Sequence, residues 1–170
     1  MKKDNWIPTI FILTFILSFI FGAVSTMASN MNVLLLGILL IAIIVIGIIF
    51  DMIGVAVLSC EEASFHAKAS RKITGSKECI QLIKKANRTS SVCNDVIGDI
   101  CGIVSGTVSA SLVILLWDTP LVSILITAIV SSLTVGGKAI GKMIAINHAE
   151  EIVFLVGTFL SKFSINNKKR

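Results

Sequence analysis

The sequence predicts an all-α integral membrane protein with four transmembrane helices, a cytoplasmic helical connector and a C-terminal amphipathic juxtamembrane helix. Three observations carry that class. Of 170 residues, 55% are hydrophobic and only 15% charged, a balance that no ordinary soluble domain shows. The apolar residues gather into runs at 7–28, 32–58, 96–117 and 121–145, each matching the roughly 20 helical residues that cross a bilayer. All 15 Lys and Arg stand at 2–3, 68–88, 138 with 142, and 162–170, so alternating spans put every one on the same side. That is the positive-inside pattern, and it predicts a protein of the cell (plasma) membrane with both termini cytoplasmic. The net charge of +5 therefore reports topology and contact with the lipid bilayer, and no nucleic-acid partner is expected.

Residues 1–31 read as an N-terminal transmembrane helix and its outer turn. Lys2 and Lys3 ahead of an apolar run also suit a signal peptide. The run is longer than a typical signal core, however, and Trp6 stands where an interfacial anchor would, so a retained helix is expected. Residues 32–163 form the transmembrane domain proper. Its first helix leaves Asn30 and Asn32 and meets no charge until Asp51. The segment IGVAVLS keeps it apolar beyond that point, so Asp51 is more than an end-cap; a carboxylate snorkelling to the interface is the plainer alternative.

A connector at 60–92 is polar, basic and helix-permissive, with Gly75 as a break and with Ile73, Ile80, Leu82, Ile83 and Ala86 expected on the membrane surface. Asn87-Arg88-Thr89 matches a glycosylation sequon but falls on the cytoplasmic side. Next comes a hairpin over 94–142 turned by Asp118, Thr119 and Pro120. In its first arm Gly98, Gly102 and Gly106 recur every fourth residue, a small-residue face that admits another helix and predicts a homodimer. The second arm places Gly136, Gly137 and Gly141 near Lys138, a segment able to unwind or admit water. Beyond it, Asn147 and Glu150 have capping-box spacing, and Ile152, Val156, Phe159, Leu160 and Phe163 share a face. These predict the juxtamembrane helix at 148–163, followed by a basic tail at 164–170.

Counting outward from Thr119, Asp99 lies about 20 residues back and Lys138 about 19 on, so both sit roughly 30 Å from the turn. Asp95 and Lys142 repeat the match one turn further out, and Asp51 reaches a similar depth from the other side. Ionisable groups on a span are costly and mark a pathway or a pair, which makes Asp51, Asp95, Asp99, Lys138 and Lys142 the candidate ion pathway or charge cluster. Gly98, Gly102, Gly106, Gly137 and Gly141 are the candidate packing residues around it. Should a metal bind, Asp51 and Asp99 are its candidate ligands. Cys60, Cys79, Cys93 and Cys101 are expected as free thiols, and with His66 their spacings match no zinc ligand pair. No nucleophile and base arrangement, P-loop or haem motif is present. An enzyme is therefore not expected, nor a resident cofactor.

Over about 34–163 the layout resembles the transmembrane domain of the cyclin-M and CorB/CorC magnesium (and cobalt) transporter family. Gly98-Asp99 stands at that family's Gly-Asn step. GKAIGK at 137–142 takes the place of its Gly-Glu-x-x-Pro-Lys motif, and HAEEIVFLVGTFL at 148–160 that of its juxtamembrane helix. The resemblance implies the fold, a homodimer, and Mg²⁺ as the transported or bound ion. It does not extend to the cytoplasmic nucleotide-binding module of that family. The departures fall on the chemistry: Lys138 stands at the family's Glu, Gly141 at its Pro and Asp99 at its Asn. The first-helix match has two rival registers, Gly54-Val55-Ala56 and Glu61-Glu62-Ala63. A lysine among three aspartates can act as a tethered cation in the place of a metal. Two functions follow as expectations. One is a cation transporter working through the cluster; the other is a non-transporting regulatory or helix-packing subunit in which Lys138 closes the site. A hydrated cavity shared by Asp51 and Asp99 favours the first, and dry pairing with lysine the second.

Overall fold

The computed structural model describes residues 6–28, 32–116 and 120–167, and every regular element among them is helical. In chain order these are α1 (Trp6–Ala28), α2 (Val33–Ser59), α3 (Glu62–Ser70), α4 (Ser76–Lys84) and α5 (Ala86–Ser91). A π-helical segment (Val92–Gly98), α6 (Asp99–Leu116), α7 (Pro120–Asn147) and α8 (Ala149–Asn167) complete the chain. Four helical stretches are long and apolar enough to cross a membrane: α1, α2, the continuous run Ala86–Leu116, and α7. The expected turns at 29–31 and at Asp118 and Thr119, the lysines at 2 and 3, and tail residues 168–170 lie outside the described residues. Pro120 opens α7, where its missing N–H costs nothing. Gly75 separates α3 from α4 with φ of 90°, a left-handed conformation that glycine adopts freely.

The bundle is organised around α2. Leu36, Leu40, Ile43, Gly47, Asp51 and Gly54 recur at steps of three and four, so they form one stripe, and all are buried. The first half of that stripe meets Val96, Ile100, Val104 and Val108 in an outer core, with Ile10, Leu13, Leu17 and Phe21 of α1 laid along its rim. The second half enters an inner core with Ala56, Val57, Phe65, Cys79, Ala145 and Val153. Here the helices meet through small residues. Gly141, Ala145, Ala149, Val153, Gly157 and Ser161 are all buried, one every fourth residue, across the α7–α8 junction. A Cβ at Gly157 would overlap Cys79 Sγ and stand 2.8 Å from the Gly75 carbonyl oxygen, so α8 touches α4 backbone to backbone.

Several local expectations change. The third crossing begins at Ala86 rather than near 96, because α5 and the π segment continue into α6 without a break. Ile80, Leu82, Ile83 and Ala86 pack on the inner core instead of facing outward, since α3 and α4 fold back onto α2 and α8. α7 remains helical throughout, including the segment around Gly136 and Gly137, and the irregular backbone lies in the π segment opposite. Asn147 ends α7 instead of capping α8: the His148 N–H donates to the Ile144 carbonyl and the His148 carbonyl accepts the Ile152 N–H, so backbone bonds carry the chain from α7 into α8. The fully buried line of α8 is the small-residue stripe; of the expected face Ile152 packs against the inner core, whereas Phe159 and Leu160 are exposed.

Candidate functional site

Between the two cores lies a layer of charge. Asp51 stands on the buried stripe of α2 with its side chain only 4% exposed, and Lys142 of α7 brings its ammonium to 3.3 Å from Asp51 Oδ2. Lys138, one helical turn earlier on the same face, donates to the Gly98 carbonyl at 3.0 Å and lies 3.6 Å from Asp99 Oδ1. The two pairs differ in setting. Asp99 is 67% exposed beside a Lys138 that is 18% exposed, whereas Lys142, 49% exposed, reaches inward to a carboxylate that has no other ion-pair partner among the described residues.

Glycine makes the layer possible. A Cβ on Gly98 would stand 3.4 Å from both Asp51 Oδ1 and Lys138 Nζ, so the backbone of the π segment lies in direct contact with the charged ends of side chains from both α2 and α7. One turn away along α2, a Cβ at Gly47 would come within 2.9 Å of Cys101 Cβ. On the other side Gly54 leaves room for Asn94, whose amide already abuts the Gly54 backbone. Gly137 and Gly141 perform the same service for Ile48 and Met52. π segments interrupt α-helices mostly at functional sites, and this one widens its helix at the level of the buried aspartate.

The structure thus brings together Asp51, Lys142, Lys138 and Asp99, and leaves Asp95 out. Lys142 pairs with Asp51 and not with Asp95, which is exposed and accepts the Ser91 hydroxyl at 2.7 Å. The reason is the π segment: its extra residue per turn rotates Asp95 away from α7, which a count of straight-helix residues cannot register. Gly102 and Gly106 touch nothing within 4 Å of a built Cβ. With Ser131, Thr134 and Lys138 they line an open groove of about 210 Å³ between α6 and α7.

Asn94 is the residue that sequence reasoning missed. Its amide nitrogen donates to Ser90 Oγ at 3.2 Å, and its Oδ1 is buried without a hydrogen-bond partner, as is Asp51 Oδ2. An amide within a crossing helix was the available signal, because such side chains can bond across helices.

These residues do not fit the divalent cation that the sequence resemblance implies. Mg²⁺ takes an octahedron of oxygens with one or two carboxylates. Here each candidate carboxylate, Asp51 and Asp99, is already faced by an ammonium group. Among the described residues no three His, Cys, Asp or Glu side chains gather closely enough to hold a metal. Outside the crossing helices, burial pushes the Cys79 thiol up to about 11, and burial together with the Glu150 charge raises that of Cys60. Cys79 donates to the Val153 carbonyl at 3.3 Å, so it is a packed, protonated thiol and not a metal ligand. Compared with protein-family models, curated proteins and solved structures, the chain matches none.

Proposed function

We propose that this chain is a multi-pass protein of the plasma membrane, with both ends cytoplasmic, that acts as a non-transporting helix-packing or regulatory subunit whose intramembrane site is closed by its own lysines. One observation carries the reading: the only deeply buried carboxylate of the charge layer, Asp51, is met at 3.3 Å by Lys142, while Lys138 spans Gly98 and Asp99 beside it. Two lysine ammoniums in the space of a metal supply the positive charge that a bound cation would otherwise bring. A relationship to the CorB/CorC transporters remains part of the proposal through Gly98-Asp99 and the 137–142 motif, with the ion site converted into a structural ion-pair layer. The basic residues on one side of the spans support the topology. The open Gly102 and Gly106 face supports self-association as a homodimer, since its bare backbone admits a second helix.

A second reading, a cation transporter, is favoured by two buried oxygens: Asn94 Oδ1, which accepts no hydrogen bond, and Asp51 Oδ2, whose one partner among the described residues is the Lys142 ammonium at 3.3 Å. Two buried acceptors on facing helices are what a cation would use once the lysines withdrew. Uptake of Mg²⁺ and Co²⁺ into proteoliposomes containing the purified protein separates the two. The closed reading expects uptake no faster than in protein-free vesicles. Protein-dependent uptake abolished by Asp51→Asn would overturn it in favour of transport.

A further inference from the structure

We infer that the break between α4 and α5 is a binding site for the phosphate headgroup of an anionic phospholipid. Six consecutive residues, Ile83 to Arg88, surround a concavity of about 380 Å³ there. Three of them, Lys84, Lys85 and Arg88, are cationic, Asn87 adds an amide donor, and among the described residues no carboxylate lines the space. The helix breaks at Lys85, which leaves the α conformation at φ −112° and ψ 26°. That break fans side chains which a continuous helix would point in different directions around one opening. Lys84 is held on one side by Glu62 at 3.6 Å, and Lys85 makes no ion pair among the described residues.

Depth turns a basic concavity into a lipid site. The guanidinium of Arg88 lies 5.1 Å from the centre of the Trp6 ring, so the start of α5 is level with the first residue of α1. Tryptophan at the end of a crossing helix sits at the headgroup level. Helix length agrees. The run Ala86–Leu116 has 31 residues, about 46 Å of helix, against a hydrocarbon layer of about 30 Å and about 40–45 Å with headgroups. Its excess must stand in the headgroup region, and on the Trp6 side that excess is the turn bearing Arg88. A phosphodiester there meets Lys85 and Asn87 from above while its acyl chains lie along the exposed flank of α1, where Phe11, Phe15 and Phe19 face outward.

The test is native mass spectrometry of the protein released from nanodiscs of mixed phosphatidylglycerol and phosphatidylcholine, with Lys84→Gln/Lys85→Gln compared with the charge-matched Lys72→Gln/Lys77→Gln. The site predicts preferential retention of phosphatidylglycerol by the wild type, loss by about tenfold or more in the first variant, and little change in the second. Equal loss in both variants would mean diffuse attraction to a basic surface and would overturn the site. Displacement of the lipid by millimolar inorganic phosphate would overturn the headgroup assignment in favour of a free-anion site. Should the first variant lose its helical circular dichroism, Lys85→Gln alone carries the same comparison, because Lys85 makes no intramolecular ion pair among the described residues.

Discussion

The two halves of α2 bury themselves by different means. In the outer half Leu36, Leu40 and Ile43 interdigitate with the valines and isoleucines of α6, large side chain against large side chain. In the inner half the partners are Ala56, Ala145, Ala149 and Gly157, and backbones approach until Cys79 Sγ lies against the Gly157 backbone. The outer core is surrounded by exposed apolar residues such as Ile41, Ile103, Ile114 and Leu125, a surface suited to lipid. The inner core is enclosed by α3, α4 and α8, which carry Glu62, Lys68, Lys84 and Glu150 on their outer sides. Lipid tails are as apolar as leucine, so the outer half gains little from hiding side chains and depends on van der Waals fit. The inner half is covered in part by helices that carry exposed charge, and apolar surface hidden beneath such groups gains the effect of leaving water.

That contrast predicts unequal responses to equal injuries. Phe65 is fully buried in the inner core, and Phe65→Ala should lower stability by about 4 kcal/mol, since it removes hydrophobic transfer and leaves a cavity. Leu36 is equally buried in the outer core, but Leu36→Ala should cost about half as much because lipid replaces water as the reference surroundings. Detergent unfolding curves for the two variants give the comparison directly. Losses of the same size would mean that the two cores share one kind of solvent.

The charge layer sits where the two regimes meet, and its pairs should respond asymmetrically. Lys142→Ala leaves Asp51 buried without its counter-ion, so a loss of about 3 kcal/mol is expected, toward the low end for a buried pair because Lys142 itself is half-exposed. Asp51→Asn should cost less, as the freed ammonium can turn outward, and the double variant Asp51→Asn/Lys142→Ala should recover most of the loss. Lys138→Ala with or without Asp99→Asn should move stability by less than about 1 kcal/mol, given an Asp99 that is two-thirds exposed. Four thermal unfolding curves decide the first cycle. Additive losses there would remove Asp51–Lys142 from the centre of the molecule.

The contrast also explains what the chain disclosed in advance. Span number, the break at Gly75, and the common depth of Asp99, Lys138 and Asp51 follow from composition and from the constant rise of a helix. What stayed hidden depends on rotation about the helix axis. A π segment cannot be foreseen from VCNDVIG, yet it turned Asp95 outward and handed Lys142 to Asp51. The small-residue stripe from Gly141 to Ser161 was present as letters, but the apolar bulk of Phe159 and Leu160 suggested a different face for α8. Where the α8 and α4 backbones meet most closely, at Gly157 and Cys79, the small side chains mark the contact.

The inner core can also be tested through its thiol. Burial raises Cys79 from its ordinary 9.0 to about 11, since a thiolate beside the Val153 carbonyl would lose its water, and the Glu78 charge opposes it more than the Lys68 ammonium helps it. The folded state therefore holds the proton more tightly than the unfolded chain does. Stability from this group is complete below pH 9.0 and falls away as pH rises toward 11. Cys79→Ala should flatten the alkaline limb of the stability profile, although it lowers the plateau by removing a packed sulfur. Maleimide labelling supplies the parallel readout: Cys60, only partly buried, should react well before Cys79 at neutral pH, and Cys79 should follow only as the inner core opens. Early labelling of Cys79 with the helix content intact would mean that α4 lifts from α8 without unfolding, and the inner half would then be the looser of the two.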